Sequence, residues 1–336
     1  MMQSNLKKWL LTLLIVLVVG LTACQSDEGS EEASNGENSG EETSENESEE
    51  SSESDGSSES EEQSYPVTLT DRTDTEVTIE EEPESVVSVI PSATEIVYSV
   101  GAGDKVDGVS EWADYPEEVS DVETVGDMNL NIEKIVSLEP DLVVADVENA
   151  DDIQAMRDAG LKVLVIGSQS LDEVYQDIEM VGQATGQTNQ AQEVIDDMKT
   201  TVSDVQDTVS NIPEEERKKV WIEVGPELFS GGEGSFLHEV LTLAGGKNII
   251  GDQEGWPQVS EEVVIEQNPD VIVTTYGQTT EGAHETIMNR DGWDSISAVQ
   301  NEEIYDIKNS LLSRPGPRLA QGVERLAEIL YPEEME

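Results

Sequence analysis

An internal repeat constrains this chain more than any other feature. The segment from Ile132 to Val144 has a counterpart from Glu261 to Val273. Each copy reads as a polar cap, a short amphipathic helix, a Pro-Asp turn and a run of β-branched residues. Asn131 and Ser260 sit at the matching N-cap positions. Proline stops each helix, and the Val/Ile run behind it suits a buried parallel strand. A second pair lies upstream: Glu95-Ile96-Val97 leading to Gly101 resembles Glu239-Val240-Leu241 leading to Gly245. There a helix ends on glycine and a strand follows. Each half therefore reads strand, helix, strand, helix, strand, which predicts two similar α/β lobes.

Between the halves, Ala191, Val194, Ile195, Met198, Val202, Val205 and Val209 recur at spacings of three and four, and Pro213 closes the run. The spacing predicts a helix from about Asn189 to Ile212, about 36 Å long at 1.5 Å per residue. One stiff helix joining two lobes gives a rigid bilobed body with a cleft. The expected organisation is a leader over 1–23, a tether over 24–64, an N-terminal lobe over 65–187, the linking helix over 188–213 and a C-terminal lobe over 214–336.

The leader reads as a lipoprotein signal peptide. Lys7 and Lys8 precede an apolar run from Trp9 to Val19, too short for a stable membrane span. Leu21-Thr22-Ala23-Cys24 follows, and Cys24 is the chain's one cysteine. The pattern predicts lipidation of Cys24, with palmitate among the chains, and attachment to the extracellular face of the cell membrane. Residues 25–64 hold 16 acidic side chains and no basic one, with no Val, Ile, Leu or aromatic before residue 65, so they can bury no core.

The chain carries 75 acidic and 17 basic side chains. Setting aside the 16 acids of the tether and the two leader lysines leaves 59 acids against 15 bases, a charge of −44. Such a surface excludes nucleic acid as a partner, since binding it means neutralising phosphates. The acidity reads as solubility in salty surroundings, so folding should weaken in low salt. No catalytic pattern stands out: no phosphate loop, no nucleophile elbow, no second cysteine. His238 and His284 lie far apart, with no metal-ligand spacing. His238 reads as a helix-face residue and His284 as part of an exposed loop. No enzyme, no metal site and no resident cofactor are expected.

Several segments carry a family resemblance: Val87 to Ile96, Gly108 to Pro116, Phe229 to Gly232, Trp256 to Ser260, and Arg314 to Arg318. Residues 65–336 resemble the periplasmic-binding-protein family that serves ABC importers of iron-siderophores, haem and cobalamin, in which a backbone helix joins two lobes. The Gly108–Pro116 and Trp256–Ser260 segments resemble its cobalamin-binding members most. The resemblance implies a monomeric lipoprotein that captures a corrinoid in the cleft and delivers it to a permease dimer. A ferric siderophore or haem is the alternative cargo, with Tyr115 and Tyr276 as candidate haem ligands. A non-transport surface lipoprotein is a third reading.

A corrin is broad, flat, amide-armed and carries little net charge, so it needs aromatic walls and a few polar contacts rather than a charge clamp. The resemblance assigns the walls to Trp112, Phe229 and Trp256, and polar contacts to Ser310 and Arg314. At Ser310 the family carries an acidic residue, and a further N-lobe Trp has no counterpart around Gly126, Asp127 and Met128. Pro91 and Ser92 should touch the cleft, with Ser92 and Glu95 forming a capping box. Trp221 and Trp293 are expected to be structural. Glu133 and Glu262 occupy equivalent first turns, where the helix dipole favours a carboxylate. In relatives such a pair docks onto permease arginines.

Overall fold

The computed structural model describes residues 64–127 and 129–335. The leader, Cys24, all but the last residue of the tether, and Met128 lie outside the described residues. An antiparallel hairpin opens the fold, β1 (Val67–Thr70) with β2 (Glu76–Ile79), which the repeat did not foretell. The N-lobe strands follow: β3 (Val86–Ser88), β4 (Val106–Val109), β5 (Glu123–Thr124), β6 (Leu142–Asp146) and β7 (Val163–Ile166). The C-lobe holds β8 (Lys219–Glu223), β9 (Lys247–Asn248), β10 (Val271–Thr274) and β11 (Ile304–Asp306).

All pairings within the two large sheets are parallel. The strand order is β5-β4-β3-β6-β7 in one lobe and β9-β8-β10-β11 in the other. Without the short edge strand β5, both sheets share one order: second, first, third, fourth. The repeat in sequence is thus a repeat of topology. The helices that precede the third strands are Ile132–Ser137 and Glu261–Gln267. Asn131 caps the first, its side chain accepting the Lys134 N–H at 3.0 Å. Strands β6, β7 and β10 are buried along their whole length, as expected for sheets covered on both faces.

The linking helix runs Thr188–Val209, 22 residues or about 33 Å. It ends slightly before the sequence pattern does, since Ser210 to Ile212 close it in a turn. Of its seven periodic apolar residues, all but the half-buried Val194 are buried. It packs on Leu171–Thr185 and Leu319–Leu330. Gly182 permits the first contact, because a Cβ there would come within 2.4 Å of Ala191 Cβ. One continuous apolar core under this helix includes Val86, Val144 and Ile178 from one lobe and Val220, Leu241 and Val323 from the other. A core shared in this way resists hinge motion, since opening the lobes would expose it.

Two details depart from sequence expectation. The first N-lobe helix, Pro91–Ser99, is not opened by a capping box. Its N-cap is Ile90, with Pro91 at the first helical position, where the missing N–H costs nothing. Ser92 lies inside the helix and is buried, so Glu95 is left for other use. His284 sits in a short helix, Ala283–Met288, opened by Gly282 in the left-handed conformation, rather than in a loop. It is exposed, as expected.

Candidate functional site

Ligands of open parallel sheets bind outside the carboxyl ends of the strands. In the N-lobe those ends carry Ile90–Ser92 after β3, Trp112 after β4, Asp146 closing β6, and Ser168–Gln169 after β7. In the C-lobe they carry Phe229 after β8, Trp256 after β9, and Asn309–Pro315 after β11. A cavity of about 280 Å³ lies between the two sets. Pro91, Ser92, Asp146 and Glu148 line it from the N-lobe, and Trp256, Asn309, Ser313 and Arg314 from the C-lobe. Among the expected ligand residues, Pro91, Ser92, Trp256 and Arg314 are thus brought together. Trp112, Phe229 and the half-buried Ser310 lie outside this lining.

A larger cavity, about 550 Å³, lies against the linking helix between Tyr98, Met198 and Gln321. None of the seven expected ligand residues lines it, and the strand-end rule favours the smaller cavity as the site.

Exposed aromatics flank the cleft loops. Trp112 is 63 % exposed, Trp256 48 %, Tyr115 44 % and Phe229 42 %. Together with Val136 they are the exposed large apolar side chains among the described residues. The Phe229 and Trp256 loops pair with each other: Ser230 N–H donates to Pro257 O at 3.1 Å, and Val259 N–H to Leu228 O at 3.1 Å. A rigid paired platform therefore presents both rings. Trp221 and Trp293 are fully buried, as expected of structural residues.

The lobes meet across the cleft through charge. Glu95, buried in the first N-lobe helix, accepts from Arg314 Nη1 at 2.7 Å, Arg318 Nε at 2.8 Å and Arg318 Nη2 at 2.6 Å. Arg314 Nη1 also donates to Asp114 at 2.6 Å. Burial works against the charge on Arg314, but Asp114 and Glu95 together raise its pKa. Partial burial likewise opposes ionisation of Asp114, yet the Arg314 hydrogen bond and charge prevail and lower its pKa. The Arg318 guanidinium lies 4.0 Å from the centre of the Tyr115 ring. Arg314 is the one cation among the described residues lining the cleft cavity, and two carboxylates already hold it.

Sequence reading missed Glu95 as a cross-lobe residue, and it missed Asp146. Burial is the main cause that pushes the Asp146 pKa up from 3.8 to about 6; the Glu148 N–H opposes this, and the charges of Glu148 and Asp177 add to it. The folded protein thus holds a proton between pH 3.8 and about 6 that the unfolded chain releases, so stability falls as pH rises through that window. Asparagine caps as well as aspartate and carries no charge. Asp146→Asn is therefore expected to stabilise by ~3 kcal/mol at pH 8 and to change nothing at pH 3. Urea unfolding at both pH values checks this.

Tyr276 is unavailable as a ligand to iron. Its hydroxyl donates to Glu223 at 2.5 Å, and it is buried. Glu223 also accepts from Trp221 Nε1 at 3.0 Å and from both Arg290 Nη atoms at 2.8 and 2.9 Å. Burial first, then the Glu223 hydrogen bond, raises the Tyr276 pKa. His238 is half-buried on its helix, beside Asn248 at 3.2 Å.

The chain matches the periplasmic binding protein family over residues 86–311. It is 44 % identical over 276 residues to the uncharacterized ABC transporter substrate-binding lipoprotein YvrC of Bacillus subtilis, covering 80 % of this chain and 87 % of that one. It is 32 % identical over 253 residues to the vitamin B12-binding protein of Vibrio cholerae, covering 74 % and 89 %. Among solved structures it resembles a Staphylococcus epidermidis protein described as a possible iron-binding, periplasmic solute-binding protein. That likeness has a TM-score of 0.66 and 33 % identity, with 75 % of this chain and all of the other covered. Two lobes of one topology on a single long helix, a cleft at their strand ends and these likenesses agree: the chain belongs to the periplasmic binding protein family, whose members bind solutes and are not enzymes.

Proposed function

We propose that this chain captures a corrinoid of the cobalamin type between its lobes and delivers it to an ABC permease dimer. It acts as a monomer, tethered by a lipidated Cys24 to the extracellular face of the membrane. The observation that carries the reading is the set of exposed aromatics, Trp112, Phe229 and Trp256, on strand-end loops of both lobes. Large apolar rings left in water beside a cleft mark a surface meant to be covered. A cavity of about 280 Å³ is at the small end for ligand pockets, so a macrocycle lies across its mouth, against those rings. The corrinoid is cargo, and no resident cofactor takes part.

The electrostatics support a ligand of little net charge. Anionic ferric chelates call for free arginine or lysine, and Arg314 is already held by Glu95 and Asp114. Haem calls for an axial ligand. Tyr276 is engaged by Glu223, and the Tyr115 ring lies beneath Arg318.

The test is a tryptophan fluorescence titration with cyanocobalamin, haem and a panel of ferric siderophores. Cyanocobalamin is expected to quench strongly and saturably, with the quench reduced in Trp112→Phe and Trp256→Phe. Saturation by haem or a ferric siderophore alone moves the cargo within the family, and silence toward all of them overturns the transport reading.

A further inference from the structure

Five carboxylates are buried among the described residues: Asp71, Glu95, Asp146, Asp177 and Glu223. Four have an arginine partner. Arg157 pairs with Asp71 at 2.6 Å, Arg72 with Asp177 at 2.7 Å and Arg290 with Glu223 at 2.8 Å, while Arg314 and Arg318 hold Glu95. Asp146 alone has no cationic partner among the described residues, although only 4 % of it is exposed. It is also the one of the five that lines the cleft cavity. Within the protein it accepts the Glu148 N–H at 2.9 Å, which fixes its carboxylate at the end of β6. Asp177, close enough to repel it, is committed elsewhere: it accepts from Arg72, Ser168 and the Gly167 N–H. Glu148, exposed, adds a second carboxylate to the same wall.

A buried carboxylate without a cationic partner is costly, and among the described residues each of the other four has an arginine. The exception at the cleft points to a partner that arrives with the ligand. Carboxylates accept hydrogen bonds and repel anions. A ligand group that donates N–H without bringing negative charge satisfies the wall, and one that ends in a carboxylate is rejected by it.

Resting on the corrinoid reading, we propose that Asp146, helped by Glu148, is a specificity determinant. It accepts a hydrogen bond from a carboxamide arm of the macrocycle and discriminates against corrinoids in which that arm is a free acid. The closest rivals of a fully amidated corrinoid are its own incompletely amidated or hydrolysed forms. They share the ring, the metal and the lower base, so aromatic walls cannot tell them apart. A fixed carboxylate can, because an amide gains a charge-assisted hydrogen bond where an acid meets a like charge.

Affinities of the full-length protein for cyanocobalamin and for each of its three propionate monocarboxylic acid isomers, measured by calorimetry at pH 8, test this. At least one isomer is expected to bind about tenfold or more weakly than the amide, as a like-charge contact in a cleft requires. In Asp146→Asn the same isomer should come within about threefold of the amide. Glu148→Gln, on an exposed side chain and so free of folding effects, should narrow the gap in part. If all three isomers bind the wild type as tightly as the amide does, or if the weak isomer stays equally weak in both variants, the inference is overturned. Absence of cyanocobalamin binding by the wild type is a different result: it removes the corrinoid reading itself.

Discussion

Replacing Glu95 with alanine is expected to lower the unfolding free energy by about 3–5 kcal/mol, the usual cost of removing one partner from a buried ion pair. The geometry explains why the loss should fall in that range. Arg318 is nearly buried and directs two nitrogens at Glu95, at 2.6 and 2.8 Å, with no other carboxylate partner among the described residues. The variant would leave its guanidinium against the Tyr115 ring alone. Arg314 is better placed, since the exposed Asp114 still accepts from it at 2.6 Å. Most of the cost is therefore expected at Arg318. Arg314→Ala should cost much less, because Glu95 keeps its Arg318 contacts and the lost Asp114 pair lies near the surface. Glu95→Gln, which keeps the shape and one acceptor, should fall between. Urea unfolding measures all three, and a loss below about 1 kcal/mol for Glu95→Ala would show that the cluster contributes no net stability.

That cluster shows where sequence reading stops. Ser92 and Glu95 match a capping-box pattern, a local signal at a spacing of three. The competing partners of Glu95 lie 219 and 223 residues away, beyond the reach of any local pattern. Pro91 decided the local contest by starting the helix two residues earlier, and burial then gave Glu95 to the arginines. The sheets were legible for the opposite reason. Their strands are short buried runs placed by cap, helix and Pro-Asp turn, and those signals are local and written twice. The linking helix was legible because its apolar stripe, Ala191 to Val209, is long and strictly periodic. The hairpin Val67–Ile79 was not, since it stands outside the repeat and alternates over only four residues per strand. Of the site, Pro91, Ser92, Trp256 and Arg314 carried a family pattern and line one cavity. Asp146 carried none. Among 75 acidic side chains a single aspartate has no contrast in sequence, and only its burial without an arginine separates it from the rest.

Reversing Glu133 and Glu262 together to lysine is expected to abolish uptake while leaving ligand affinity within about twofold. The two residues are equivalent by topology as well as by sequence, on the first turns of the helices that feed the third strand of each lobe. Both are exposed, and neither forms an ion pair among the described residues. Each therefore keeps a carboxylate that no cation among the described residues holds. The Ser260 hydroxyl, followed by a backbone hydrogen bond, lowers the Glu262 pKa. A permease dimer has two-fold symmetry, and a monomer can satisfy both halves only by presenting the same charge on two quasi-equivalent surfaces. The twin lobes supply that arrangement. A single reversal leaves one contact and should reduce uptake in part, whereas the double reversal sets like charges at both. Neither residue lines the cleft cavity, and substitutions at exposed sites shift stability by only about 0.5 kcal/mol, so folding and capture should persist. Uptake of labelled ligand by cells carrying the variant, measured beside its affinity in solution, separates docking from binding. Uptake at half the wild-type rate or more removes the docking role. A parallel fall in affinity would instead place these carboxylates in the ligand site.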